Sequence, residues 1–302
     1  AVIEMGAGKP GDIAYLAAIA RPEVGLVNNV APAHLERLRT LEGVAETKGA
    51  LYQALPADGV AIVNADDAFA DFFAGLAGAR RVMRFGFADN ADVRAKTIEL
   101  QAQASAFELV TPLGSQYVRL PLPGRHNVAN ALAAASITLA FDVPLATIIE
   151  GLENASAVGG RLLRRPARGG WTVIDDSYNA NPGSAAAAIA TLALQPGERW
   201  LVLGDMRELG EDAPALHAAI GREARAAGVE KLFAVGELSG HAAQAFGEGA
   251  AHFDDQPALI DALRARLRAG VTVLVKGSRS SAMEHVAAAL LDGDGGGARH
   301  AA

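Results

Sequence analysis

Short apolar runs without polar alternation recur along this chain: Val24–Val27, Gly59–Val63, Trp171–Ile174, Trp200–Leu203, Lys231–Val235 and Val271–Val275. Alanine-rich stretches of helical length separate them. A strand apolar on both faces must be covered on both, which happens in parallel sheets whose crossover helices pack above and below. The pattern therefore predicts an α/β fold. Between about Val93 and Leu120 it changes: Ala106–Val110 and Gln116–Leu120 alternate in polarity around the turn Pro112-Leu113-Gly114, which predicts an antiparallel addition. Helices are predicted over Asn127–Phe141 and Leu145–Leu152. The small-residue stretch Ala157–Gly160 has no periodicity, and alternation restarts at Trp171. A boundary near Gly159 follows, with domains over 1–158 and 159–291. The glycine-rich tail, 292–302, is expected to be disordered.

The bulk numbers narrow the partners. The 302 residues suit two domains, and a hydrophobic fraction of 51% is ample for two cores. A formal charge of −7 disfavours a general nucleic-acid binder, although Arg161 to Arg168 could meet a phosphate. The absence of cysteine excludes disulfides, thiolate catalysis and cysteine zinc sites, and cytoplasm is the default compartment. No apolar run reaches membrane-spanning length and no signal peptide is evident. Ala1-Val2-Ile3 reads as a strand, so the sequence is expected to start inside a domain.

Gly6-Ala7-Gly8-Lys9 resembles a phosphate-binding loop only superficially. Such a loop needs a longer glycine frame and a Ser or Thr after the lysine to hold Mg²⁺, and here Pro10 follows. A turn between strand and helix is the better reading.

Ligands of open parallel sheets bind beyond the carboxyl ends of the strands. In the first domain those ends carry Glu4, then Asn28, Asn29 and His34, then Asn64, Asp66 and Asp67. In the second they carry Asp175-Asp176-Ser177-Tyr178-Asn179, Gly204-Asp205-Met206, Gly236-Glu237 and Lys276-Gly277-Ser278-Arg279. Two such edges suggest a cleft that closes on a ligand. Glu4 and His34 form a plausible pair for a hard cation that a nucleotide also ligates, though each alone supports little and a lone His after a strand is more often a loop or capping residue. Lys48, on a helix over Leu41–Leu55, reads as a solvated lysine paired with Glu42 and Glu46. Asn127 reads as a helix cap, while Asn130 could serve a base edge or a neighbouring strand. Asp175-Asp176 repel one another unless donors such as ribose hydroxyls or a cation meet them, the alternative being an N-cap for a helix from Ser184. Lys276 to Ser281 reads as an anion site, with capping by Ser280 or Ser281 as the alternative.

Taken in order, Ala1-Val2-Ile3-Glu4-Met5-Gly6-Ala7, Val27 to Glu36, Leu122 to Ala131, Asp175 to Pro182, Gly204 to Gly210 and Val275 to Arg279 resemble the Mur ligase family, in the branch that adds D-alanyl-D-alanine. The resemblance runs from Ala1 to about Leu291. It implies an incomplete parallel-sheet ATPase domain followed by a Rossmann-like C-terminal domain, in an ATP- and Mg²⁺-dependent amide ligase. The implied substrates are UDP-N-acetylmuramoyl-tripeptide and D-alanyl-D-alanine, joined through an acyl phosphate in cytoplasmic peptidoglycan precursor synthesis. The implied state is a monomer without nucleic-acid or membrane partners.

Residue by residue, the resemblance implies Glu4 and His34 as magnesium ligands, and Lys48 as the lysine that several members carbamylate. It implies Asn127 and Asn130 as adenine-side contacts, and Arg161 and Asp176 as contacts to the nucleotide phosphate or ribose. Asn179, Asn181, Lys276, Ser278 and Arg279 would meet the dipeptide or the acceptor carboxylate. Two features depart from the family pattern. The N-terminal UDP-sugar domain and true phosphate loop do not precede Glu4, so the chain is expected to be an inactive fragment. Arg37 and Arg39 stand where small residues are usual. Rival readings are another amino-acid-adding or folylpolyglutamate-type ligase, and a non-catalytic nucleotide-binding module; a dinucleotide binder lacks its G-x-G-x-x-G.

Overall fold

A computed structural model of the chain describes residues 1–32 and 35–291, Leu35 by its main chain alone. The predicted tail and His34 lie outside the described residues. The chain forms two compact units, Ala1–Ser156 and the residues from Ala157 onward, each built on a six-stranded sheet.

The first unit runs α1 (Asp12–Ala20), β1 (Val24–Val27), α2 (Leu35–Leu38), α3 (Leu41–Gln53), β2 (Val60–Asn64), α4 (Ala70–Ala77), β3 (Arg81–Gly86), β4 (Val93–Leu100), β5 (Ser105–Thr111), β6 (Gly114–Leu120), α5 (Arg125–Ala140) and α6 (Leu145–Glu153). Its strands lie in chain order, parallel from β1 to β4 and antiparallel from β4 to β6. Period-two alternation divides β2 between two cores. Val60 and Ile62 pack with α5 and α6, while Ala61 and Val63 pack with α3 and α4. In the antiparallel part Phe107, Leu109, Val118 and Leu120 point inward, leaving Tyr117 and Arg119 exposed. One expectation fails: residues 1–7 form no strand, and Val2 is 93% exposed. An apolar run becomes a strand only when a neighbour completes its hydrogen bonds.

The second unit runs β7 (Leu163–Pro166), β8 (Thr172–Asp176), α7 (Pro182–Ala193), β9 (Glu198–Gly204), α8 (Ala213–Ala226), β10 (Lys231–Val235), α9 (Ser239–Phe246), β11 (Ala250–Phe253), α10 (Gln256–Arg264), β12 (Val271–Lys276) and α11 (Glu284–Leu291). The sheet order is β11-β10-β9-β12-β8-β7, parallel except for β7. Helices α7, α8 and α9 cover one face around Leu201, Leu203 and Leu232; α10 and α11 cover the other around Trp200, Val202 and Val273. Because β12 returns between β9 and β8, the loops after β8, β9 and β12 emerge side by side. This is the doubly wound arrangement the apolar runs predict, with its polar residues at the carboxyl edge.

Candidate functional site

In the first unit a chain of side-chain amides joins the carboxyl ends of β1 and β2 to the start of α5. Asn64 Nδ2 donates to the Asn28 carbonyl at 2.9 Å, Asn28 Nδ2 donates to Asn130 Oδ1 at 2.9 Å, and Asn130 Nδ2 donates to Asn127 Oδ1 at 3.4 Å. Asn127 is not the cap expected of it: α5 starts earlier, after Gly124 at φ 94°, and Asn127 Nδ2 donates to the Pro123 carbonyl at 2.8 Å. Position 124 needs that left-handed backbone, which glycine adopts at little cost.

Lys48 also departs from its expected setting. Half-buried on α3, it donates from Nζ to the Asn29 carbonyl at 2.8 Å and leaves Glu42 and Glu46 to solvent. Burial lowers its pKa, opposed in part by the Asp67 carboxylate. One turn further along α3, the buried Tyr52 hydroxyl accepts from Val27 N at 3.0 Å and donates to the Ile62 carbonyl at 2.7 Å. That bridge pins α3 to β1 and β2 and so fixes where Lys48 stands. The Tyr52 hydroxyl is held well above its ordinary range by burial.

Glu4, Asn28, Asn29 and Lys48 line a cavity of about 840 Å³. Of these four, Glu4 supplies the anionic oxygen, the kind of donor a hard divalent cation takes. Among the described residues, no three His, Asp or Glu side chains gather as a metal cluster. The amides of Gly8 and Lys9 donate to the Asp12 carboxylate at 3.0 and 2.9 Å. They start α1 and form no phosphate cradle, in keeping with the turn reading.

In the second unit the centre is a buried ion pair. Lys276 Nζ lies 2.5 Å from Asp176 Oδ2, with side-chain exposures of 3% and 13%, and also donates to the Asn179 carbonyl at 3.0 Å. The parallel register that pairs Lys276 with Asp176 puts them together. Asp176 Oδ1 accepts from Leu162 N at 3.1 Å. Burial pushes the Asp176 carboxyl above its ordinary pKa more than Lys276 pulls it down. Asp175 points to the other face, where Ser177 N and Oγ donate to it. Neither acid caps α7; Asn181 does, in a reciprocal capping box with Ser184.

Arg161 stacks over the half-exposed Tyr178 ring, 4.5 Å from its centroid. After β12, Ser278 Oγ lies 3.3 Å from Ser280 Oγ and 3.0 Å from Ser281 Oγ, and the exposed Arg279 pairs with Glu284 at 3.0 Å. Ser280 and Ser281 lie in a 3-10 turn ahead of α11, where Ser281 Oγ donates to the Asp205 carbonyl rather than capping the helix. Lys276 is committed to Asp176, Ser278 is buried and Ser281 is bonded to Asp205, so in this turn the exposed donors are Ser280 and Arg279. The Tyr52 bridge, and the buried His217 whose Nε2 accepts from Met206 N at 2.9 Å, escaped the sequence reading, because buried polar residues carry no periodic signal.

Two family models match in order: the Mur ligase middle domain over residues 1–138, and the Mur ligase glutamate ligase domain over residues 160–279. The chain belongs to the Mur ligase family. It is 46% identical over 293 residues to the UDP-N-acetylmuramoyl-tripeptide--D-alanyl-D-alanine ligase of Escherichia coli K12, covering 96% of this chain and 65% of that protein. The Haemophilus influenzae ligase of the same name is 36% identical, with 97% and 64% covered. Among solved structures, MurF from Acinetobacter baumannii superposes with a TM-score of 0.89 at 36% identity, over 96% of this chain and 64% of that one. MurF from Thermotoga maritima in complex with ADP gives 0.83 at 26%, over 95% and 66%. This Mur ligase chain thus spans about two thirds of the length of its curated relatives.

Proposed function

We propose that the protein to which this chain belongs joins D-alanyl-D-alanine to UDP-N-acetylmuramoyl-tripeptide at the expense of ATP, in peptidoglycan precursor synthesis. The observation that carries the reading is the 46% identity to the Escherichia coli ligase over nearly the whole chain. The two polar sheet edges supply residues of the kinds the reaction needs.

The tripeptide carboxylate oxygen attacks the γ-phosphorus of ATP, ADP leaves, and an acyl phosphate forms. The dipeptide amine then attacks the acyl carbon, and phosphate departs carrying one former carboxylate oxygen. Both steps gather negative charge, so catalysis is chiefly positioning and electrostatic stabilisation. Glu4 and His34 would hold magnesium, which neutralises the nucleotide phosphates when bound. Asn127 and Asn130 take the adenine side, with Asn28 fixing the amide of Asn130. Arg161 and Asp176 serve the ribose or phosphates. Asn179, Asn181, Lys276, Ser278 and Arg279 serve the dipeptide or the acceptor carboxylate, Lys276 and Ser278 from buried positions; in Asn181, whose oxygen caps α7, Nδ2 is the donor. Lys48, its amine favoured in the neutral form by burial, is the carbamylation site: the amine attacks CO₂, loses a proton and becomes an anion. A mass increment of one CO₂ on the peptide containing Lys48, lost on acidification, tests that modification.

The setting is cytoplasmic and the protein a monomer; no described helix is long and apolar enough to cross a membrane. We place the boundary between the two domains near Gly159. Phosphate release from the protein expressed from its gene is the test. Release should require ATP, Mg²⁺, the UDP-linked tripeptide and D-alanyl-D-alanine together. Release without the dipeptide, or supported equally by glutamate, would refute the assignment.

A further inference from the structure

We infer that Tyr178, a residue to which the reaction above gives no part, is the positioning residue for Arg161: its ring holds the guanidinium in place and leaves the N–H donors of that group to a phosphate. What Arg161 binds rests on the proposed function; the contact between the two side chains does not.

The main chain on both sides of Arg161 is tied to the loop after β8. Tyr178 N donates to the Gly160 carbonyl at 3.0 Å, and Leu162 N donates to Asp176 Oδ1 at 3.1 Å. Gly160 permits the close approach. It has φ 72°, and a Cβ there would stand 3.1 Å from Tyr178 Cβ and 3.2 Å from Tyr178 N. Arg161 N in turn donates to the Val158 carbonyl at 3.0 Å, so the backbone of Arg161 is fixed beside Tyr178 before its side chain is placed.

The exposed arginine side chain is long and loses much rotamer freedom when ordered. Among the described residues its guanidinium has no hydrogen-bond or ion-pair partner, and it meets the Tyr178 ring instead, with Cζ 4.5 Å from the centroid. The difference matters chemically. A carboxylate would hold the group by occupying its donors, whereas a ring face attracts the cation through its quadrupole and offers no lone-pair oxygen to fill them. Tyr178 is 47% exposed and belongs to neither core of its unit, and its hydroxyl has no partner among the described residues. The contact with Arg161 is what an aromatic ring supplies at this position.

Two measurements decide it. In NMR spectra of the present chain the Arg161 side-chain protons should carry the ring-current shift of a neighbouring aromatic; the shift should vanish in Tyr178→Leu and persist in Tyr178→Phe, which keeps the ring. In the ligase reaction of the protein expressed from its gene, Tyr178→Leu should raise KM for ATP about threefold, the worth of one exposed cation–π contact, and leave KM for D-alanyl-D-alanine unchanged, with Tyr178→Phe close to the parent. Added to Arg161→Ala, Tyr178→Leu should change nothing further, because the group it positions is gone. Arg161 protons unshifted in the parent, or alike in the parent and Tyr178→Leu, would overturn the inference. So would an unchanged KM for ATP in Tyr178→Leu, equal rises in the two KM values, a Tyr178→Phe as impaired as Tyr178→Leu, or independent effects in the double variant. If the parent shows no dipeptide dependence, the proposed function falls, and the spectra still decide whether Tyr178 holds Arg161.

Discussion

Replacing Lys276 by methionine removes the ammonium from a pair in which neither partner reaches much water. The Asp176 side chain is 13% exposed, and its remaining donor is the Leu162 amide. Removing one member of a buried ion pair leaves an uncompensated charge and costs about 3–5 kcal/mol. Both tryptophans, Trp171 and Trp200, lie in the second unit, so their fluorescence follows its unfolding alone. With a urea m-value of about 2 kcal/mol/M, the midpoint of Lys276→Met should fall by roughly 1.5–2.5 M. The double variant Asp176→Leu/Lys276→Met has no orphaned charge and should recover most of the loss, because apolar replacements of buried pairs are commonly near neutral. The pH dependence gives an independent sign. Burial raises the Asp176 carboxyl above its ordinary value of 3.8, and removal of Lys276 raises it further. Folded Lys276→Met then binds a proton that the unfolded chain releases, so its deficit should shrink as pH falls from 7 through the raised pKa, and level off below the unfolded value. A single-variant cost under about 1 kcal/mol, or additive costs in the double variant, would refute the reasoning.

Three further outcomes follow from the geometry. Burial holds His217 below its ordinary value of 6.5, so the unfolded state binds the proton first; stability should be full above pH 6.5 and fall by about 1.4 kcal/mol per pH unit below it, as tryptophan-monitored urea curves would show, and His217→Gln should flatten that slope. Asn28→Ala frees the Asn130 amide and should raise KM for ATP by about tenfold, the worth of one hydrogen bond, with KM for the dipeptide unchanged. Lys48→Arg keeps a cation but cannot form a carbamate; a fall in kcat of at least about tenfold is expected, and an unchanged kcat would remove Lys48 from the mechanism.

The sequence was most readable where both faces of a strand are buried. Val24–Val27 and Lys231–Val235 were bounded correctly because nothing but apolar packing determines them. Strand β3, Arg81–Gly86, was missed because its arginines interrupt the apolar run, and β7 because Leu163–Pro166 is a charged edge strand ending in proline, a pattern that protects an edge and reads as a loop. Ala1-Val2-Ile3 had the composition of a strand without the neighbour that makes one. Polar residues stood out where they end apolar strands, as Asp176 and Lys276 do. Their pairing was hidden, because a hundred residues separate them and only the return of β12 beside β8 brings them together. Asn127 and Asn181 exchanged expectations: the first stands inside its helix, and the second caps one.

The central claim is an acyl phosphate, and its oxygen atoms can be followed. UDP-linked tripeptide carrying ¹⁸O in its terminal carboxylate should be turned over with ATP, Mg²⁺ and D-alanyl-D-alanine by the protein expressed from its gene. The account predicts one ¹⁸O in each phosphate released, because the carboxylate oxygen that attacks the γ-phosphorus leaves with it. Unlabelled phosphate alongside amide product would contradict it.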